Sequence, residues 1–297
     1  MEMSIKGALY NMGGWSQLFF FFFLTFTGYI LAALIVIMCF HIIGIDKSPM
    51  GIRVTMLIQS VCLFLIPALF FSYLSQEKGK KYLSTDAKPN FQILILSIAL
   101  IFTIQPFISF VSYYNQQLVL PESLSAIESW MRSTEQSAYK TFDTLFVDKS
   151  IAGLIFNILI IAIMAGIAEE IFFRGCLQQI IQKTVGNLHL AVWITAIIFS
   201  IVHFQFYGFV PRVLLGALLG YLFVWSRSIW VPIVVHIVNN GIGVISAYLY
   251  YGTERYKELS DFDLGKDVWL LLFTLILSGL MINLIFKKYR KSIESTY

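Results

Sequence analysis

Charge is absent from six long stretches of this sequence: residues 7–45, 54–76, 89–121, 150–168, 228–253 and 268–286. Each is apolar and long enough for a bilayer's hydrocarbon core, which a helix crosses in about 20 residues. Of the 297 residues, 58% are hydrophobic and 13% charged, and the mean hydropathy is +0.77. A globular domain has about 45–50% apolar and about 25% charged residues. These values exclude a soluble enzyme, a secreted disulfide scaffold and a disordered chain. Cys39, Cys62 and Cys176 lie in or beside apolar segments and suggest no disulfide framework. The net charge of +4, with no basic stripe, gives no reason to expect a nucleic-acid partner.

The expected fold is all-α, a polytopic membrane helical bundle of about eight transmembrane helices, forming one integral-membrane domain over residues 1–297. Spans are expected near 15–44, 53–75 and 91–114, from Ile151, from Leu188, over Val213–Ser226, from Pro232, and over 268–286. The first reads as a retained helix and not a signal peptide, and its Phe19–Phe23 run reads as lipid contact. Residues 117–149 mix acids and bases with Leu, Trp and Phe, which predicts an amphipathic helix at the interface. Arg212 and Arg227 bound the sixth stretch and are expected to snorkel outward. Gly216 and Gly220 form a small-xxx-small motif that lets a neighbouring helix approach. Eight spans place both termini on one side, which holds eleven Lys and Arg against nine on the other. Most of the nine lie in two long acidic loops, so the termini are expected to be cytoplasmic in a cell (inner) membrane.

Ionisable residues inside a span are costly and mark function. Here they gather on three helices: Glu169, Glu170 and Arg174; then His203; then His236 with Asn240. Gly186-Asn187 supplies a turn and cap signal. Glu169 and His203 lie equally far before and after Gly186, so an antiparallel hairpin brings them to one depth. Glu170 and Arg174 are at i and i+4, as are His236 and Asn240, so each pair shares a helix face. Glu169, rotated about 100° from Glu170, is left without the guanidinium. A carboxylate of this kind is a candidate general base, His203 can orient water, and His236 with Asn240 can donate to an oxyanion. Together they describe hydrolysis of a carbonyl compound by activated water. Zinc held by Glu169, His203 and His236 is the chemical alternative, although there is no HExxH motif and no carboxylate obviously placed to orient either imidazole. The metal-free glutamate mechanism, with no cofactor, is preferred. A wet mouth is expected on the Gln178–Lys183 side of Glu169. A proton-coupled transporter relaying protons through Glu169 and the histidines is the rival class, and a catalytically silent immunity or scaffold protein is a third.

The same residues resemble the signature of the CPBP family, the CAAX-protease and bacteriocin-processing intramembrane endopeptidases also called Abi proteins. The pattern EExxxR, FxxxH, HxxxN reads Glu169-Glu170 to Arg174, Phe199 to His203 and His236 to Asn240. The resemblance covers residues 151–251, the expected catalytic core. It implies an intramembrane protease in which Glu169 activates water, His203 assists, and His236 and Asn240 stabilise the oxyanion. It also implies that Glu170 and Arg174 shape the site, or that Arg174 steers a substrate carboxylate. The implied partners are a peptide or lipidated protein substrate, prenylated or bacteriocin-like, and the surrounding membrane lipids.

Overall fold

The computed structural model describes residues 5–42, 44, 47–77, 81–256 and 262–294, and among these it contains helices and turns but no strand. Lys78, Lys80 and Lys257, three of the charges in the topology count, lie outside the described residues. The main helices are α1 (Gly14–His41), α2 (Pro49–Leu74), α3 (Phe91–Thr103), α4 (Gln105–Gln116) and α5 (Ser125–Val147). They continue with α6 (Ile151–Val185), α7 (Leu188–Ile201), α8 (Phe209–Ser226), α9 (Trp230–Tyr250) and α10 (Leu264–Glu294).

Local chemistry sets the boundaries. Ser48, Asn90, Ser150 and Asn187 each accept a backbone N–H of the first turn of α2, α3, α6 and α7, satisfying donors that a helix start leaves unpaired. Gly186, at φ 68°, ends α6 in the left-handed conformation that glycine adopts without a Cβ clash. Pro106 has no N–H to donate and crowds the preceding turn, and α3 and α4 meet there at 43°. Helix α2 carries a π-helical segment at Ser60–Leu65, and α6 carries two, at Ile158–Met164 and Phe173–Leu177.

The protein is a polytopic helical membrane protein. Segments of α1, α2, α6, α8, α9 and α10 are long and apolar enough to cross a membrane, and α3 with α4 makes a seventh if counted as one broken span. Against the expected eight, the described residues thus hold six or seven, and the segment that falls short is the fifth. Helix α7 has 14 residues, about 21 Å of rise against a core of about 30 Å.

Contacts distinguish two ends of the bundle. At one, Leu9 N–H donates to Leu74 O (2.8 Å), Lys183 Nζ to Tyr10 O (3.2 Å) and Trp230 Nε1 to Thr85 O (3.1 Å). Lys288 bonds Gln92 there too. This end therefore gathers the segment around Leu9 and Tyr10, the end of α2, Thr85, the α6–α7 turn and the last turns of α10. At the other, Arg53 pairs with Asp148 (3.2 Å), Lys149 Nζ donates to Tyr248 O (2.9 Å) and Asn115 Nδ2 to Phe206 O (3.0 Å). Helix α5 belongs to this second end. Its Phe142, Leu145 and Phe146 pack on α2, α6 and α9, while Ile127, Trp130 and Tyr139 stay exposed.

The largest core joins α1, α2, α6 and α7 through Phe21, Phe71, Phe172, Phe173 and Phe199. The Phe19–Phe23 run divides accordingly. Phe19, Phe22 and Phe23 are exposed as expected of lipid contacts, but Phe21 is fully buried, 5.0 Å from the Phe71 ring and 4.7 Å from that of Phe172. A helix cannot point five consecutive residues the same way. The Gly216–Gly220 motif does admit a neighbour. A Cβ at Gly216 would lie 3.3 Å from Ala196 of α7, and one at Gly220 would lie 2.9 Å from Val192.

Candidate active site

Glu169 lies between the two π-helical segments of α6, on the wall of a cavity of about 580 Å³. Ala165, Phe199, His203, His236 and Asn240 share that wall, so α6, α7 and α9 converge there. Glu169 Oε2 is 4.0 Å from His203 Nε2 and 3.8 Å from His236 Nε2. These separations are too long for direct hydrogen bonds and suit a bridging water.

Each imidazole is fixed from behind. His203 Nδ1 is 2.7 Å from Phe199 O, a carbonyl that can only accept, so Nδ1 carries the proton and Nε2 presents a lone pair towards Glu169. His236 Nδ1 is 2.7 Å from Glu170 Oε1. The carboxylate that the sequence did not reveal for orienting an imidazole is therefore Glu170, on another helix. Arg174 Nη1 donates to the same Oε1 at 2.6 Å and Nη2 to Gly216 O at 2.9 Å, while its guanidinium stacks 4.8 Å from the Phe199 ring.

Glu170 and Arg174 have no exposed surface and do not line the cavity. Both are one layer removed from the cavity wall on which Glu169 lies. Their i, i+4 pairing is present, and His236 joins it from α9. Asn240 is held by a chain of amides: Gln105 Nε2 donates to Asn239 Oδ1 (3.2 Å), Asn239 Nδ2 to Asn240 Oδ1 (3.3 Å), and Asn240 Nδ2 to Ile161 O (3.1 Å). One proton of the Asn240 amide remains for the cavity.

The residues of the expected mouth do not line the cavity. Its wall includes Ser112, Gln205 and Gly208, at the α5 end of the bundle, and none of Gln178–Lys183. Gln178 is instead buried, with Nε2 donating to Gly220 O at 3.3 Å. Arg212 does not snorkel outward but lines the cavity. Helix α8 begins at Phe209, four residues before the expected start, which puts Arg212 within its first turn, one helical face with Leu215 and Leu219. That i, i+3, i+7 spacing was the available signal for Arg212. Glu169 and His203 also border a second cavity of about 430 Å³, mainly apolar, between α1, α2 and Phe204.

Among the described residues no three His, Cys, Asp or Glu side chains are placed to hold a metal ion. The Glu169, His203 and His236 set therefore does not fit zinc, and no step below passes through a metal.

Residues 151–242 match the family model for Rce1-like type II CAAX prenyl endopeptidases. The uncharacterized protein YpbD of Bacillus subtilis (strain 168) is 29% identical over 102 residues, 33% of this chain and 47% of that protein. The match thus spans about half the length of that relative. No solved structure matches the chain. Residues 151–242, which are similar to the Rce1-like CAAX prenyl endopeptidase (CPBP) family, hold every site residue named from the sequence.

Proposed function

We propose that the protein is an intramembrane endopeptidase of glutamate type, hydrolysing a peptide bond in a membrane-associated substrate. The observation that carries this reading is Glu169 facing two Nε2 atoms at 4.0 and 3.8 Å on the wall of one cavity. A water there donates one proton towards Glu169 and the other towards His203. Glu169 takes the first as the water oxygen bonds to the carbonyl carbon. The oxyanion is met by the free proton of the Asn240 amide and by His236, which donates from Nε2 only as imidazolium, with Glu170 at 2.7 Å as counter-ion. The C–N bond then breaks, and Glu169 returns its proton to the leaving amine. The products are one carboxylic acid and one amine. The apolar second cavity, which also touches Glu169, accommodates the membrane-embedded part of the substrate.

In the same reading α5 lies at the membrane interface and the end bearing the termini faces the cytoplasm. A C-terminal reporter active only outside the inner membrane would reverse that orientation.

The central experiment compares cleavage of a quenched peptide library by wild type, Glu169→Gln, Glu170→Gln and Asn240→Ala in proteoliposomes. Glu169→Gln keeps the volume but cannot accept the proton, so turnover falls by at least about 10²–10⁴-fold with peptide binding retained. Asn240→Ala costs about 10²–10³-fold, as for loss of one oxyanion donor. Near-normal cleavage by Glu169→Gln with a dead Glu170→Gln moves the base to Glu170, and cleavage by both removes the protease reading.

A further inference from the structure

Arg212 and Glu169 are the Arg and Glu on the wall of the larger cavity, which among its described residues has no Lys or Asp. Other arginines have acidic partners: Arg53 with Asp148, Arg132 with Glu128, Arg174 with Glu170 and Arg290 with Glu294. Arg212 has no such contact among the described residues; Glu135 and Glu169 act on it only through space. What holds it is neutral. Nη1 donates to Gln205 O at 3.2 Å and Nη2 to Gln205 Oε1 at 2.6 Å. Gly208 leaves the space beside it open, since a Cβ there would lie 3.1 Å from Nη2.

The loop that holds Arg212 also carries His203. Between His203 and Gln205 stands Phe204 at φ 52°, a left-handed conformation that is strained for an aromatic residue and persists only where its surroundings impose it. Two of the five guanidinium protons are taken by Gln205, which leaves a fixed cation with free donors on the wall shared with the general base. A planar fork of this kind matches a carboxylate. We propose that Arg212, oriented by Gln205, is the receptor for a substrate carboxylate and thereby sets the distance between that anion and the bond cleaved. The proposal rests on the endopeptidase reading for its second half, and the first half stands as a binding claim.

The carboxylate is either the substrate's C-terminus or an Asp or Glu side chain, and the test separates them. Fluorescent octapeptides with apolar residues are made as free acids, as C-terminal amides and with single internal Asp or Asn. Binding is read by anisotropy on Glu169→Gln protein with and without Arg212→Gln, and cleavage by mass spectrometry on wild type and Arg212→Gln. The expected result is a preference of about 10–100-fold for one anionic series, the value of a charge-assisted pair, abolished by Arg212→Gln. Preference for the free acid over the amide identifies the terminus, and preference for Asp over Asn in amidated peptides identifies a side chain. Arg212→Lys keeps the charge and loses the fork, so it retains part of the preference and guards against misfolding of the Gln variant. Equal binding of all series to the Glu169→Gln protein overturns the proposal. Anion-selective binding without cleavage by wild type leaves the receptor standing and removes the protease reading instead.

Discussion

Adjacent carboxylates at 169 and 170 face different surroundings: Glu169 lines the cavity, whereas Glu170 is sealed between Arg174 and His236. Removing Arg174 would leave a carboxylate without its guanidinium where both partners are fully buried, and breaking such a pair costs about 3–5 kcal/mol. Arg174→Ala is therefore expected to lower the unfolding temperature and folded yield in detergent together with activity. Normal stability with lost activity would assign Arg174 to substrate or transition state. The split between the two glutamates was legible in the sequence, because one residue of helix turns the side chain about 100° and only Glu170 has a base at i+4. The contact of Glu170 with His236 was not, since it joins residues 66 apart on two helices. Gln105, Asn239 and Gln205 escaped for a similar reason: a polar residue in or beside a span carries no mark of what it will meet.

Helix α6 is one continuous apolar span of 35 residues, yet π-helical segments interrupt it on both sides of Glu169 and Glu170. Such wider turns recur at functional sites, and here they flank the two carboxylates that face α7 and α9. Helix α8 is the other element that makes the site. Gly216 and Gly220 bring it close to α7, and their carbonyls accept Arg174 Nη2 and Gln178 Nε2. At Gly220 a Cβ would come within 2.8 Å of Gln178 Oε1 and 2.9 Å of Val192 Cγ1. Gly220→Val is expected to destabilise the protein by about 1–3 kcal/mol, read as a lowered unfolding temperature. Gly241→Ala on α9, where a Cβ meets nothing within 4 Å, should be neutral or stabilising and serves as its control. Equal unfolding temperatures for the two variants would show that α7 and α8 separate without loss. The motif was readable from spacing, but its service to Arg174 was not.

Across the whole molecule, α5 is tied to the bundle by Arg53, which is 3% exposed and donates to Asn157 Oδ1 at 2.9 Å, to Asp148 Oδ2 at 3.2 Å and to Gly153 O at 3.4 Å. Hydrogen bonds from Ser150 first, and then Arg53, hold the Asp148 carboxyl below the usual carboxylate range. A depressed folded value contributes stability that is present above the unfolded value, about 3.9, and is lost as pH falls through the folded one. Acidification below about pH 4 should thus loosen α5 over the cavity. Asp148→Asn should lower the unfolding temperature near neutral pH and flatten its decline on acidification; parallel profiles for variant and wild type would assign that decline to other carboxylates. Hydropathy and the placement of charge were enough to establish a helical membrane protein, because partition into lipid depends on local composition. Helical periodicity was likewise enough to pair Glu170 with Arg174 and to align Glu169 with His203, because rise and rotation per residue are fixed. The rotation of each helix about its axis and the set of helices that meet around Glu169 came from packing. Those features depend on contacts between residues 42 to 104 positions apart, such as Arg174 with Gly216 and Arg53 with Asn157, and no local pattern encodes them.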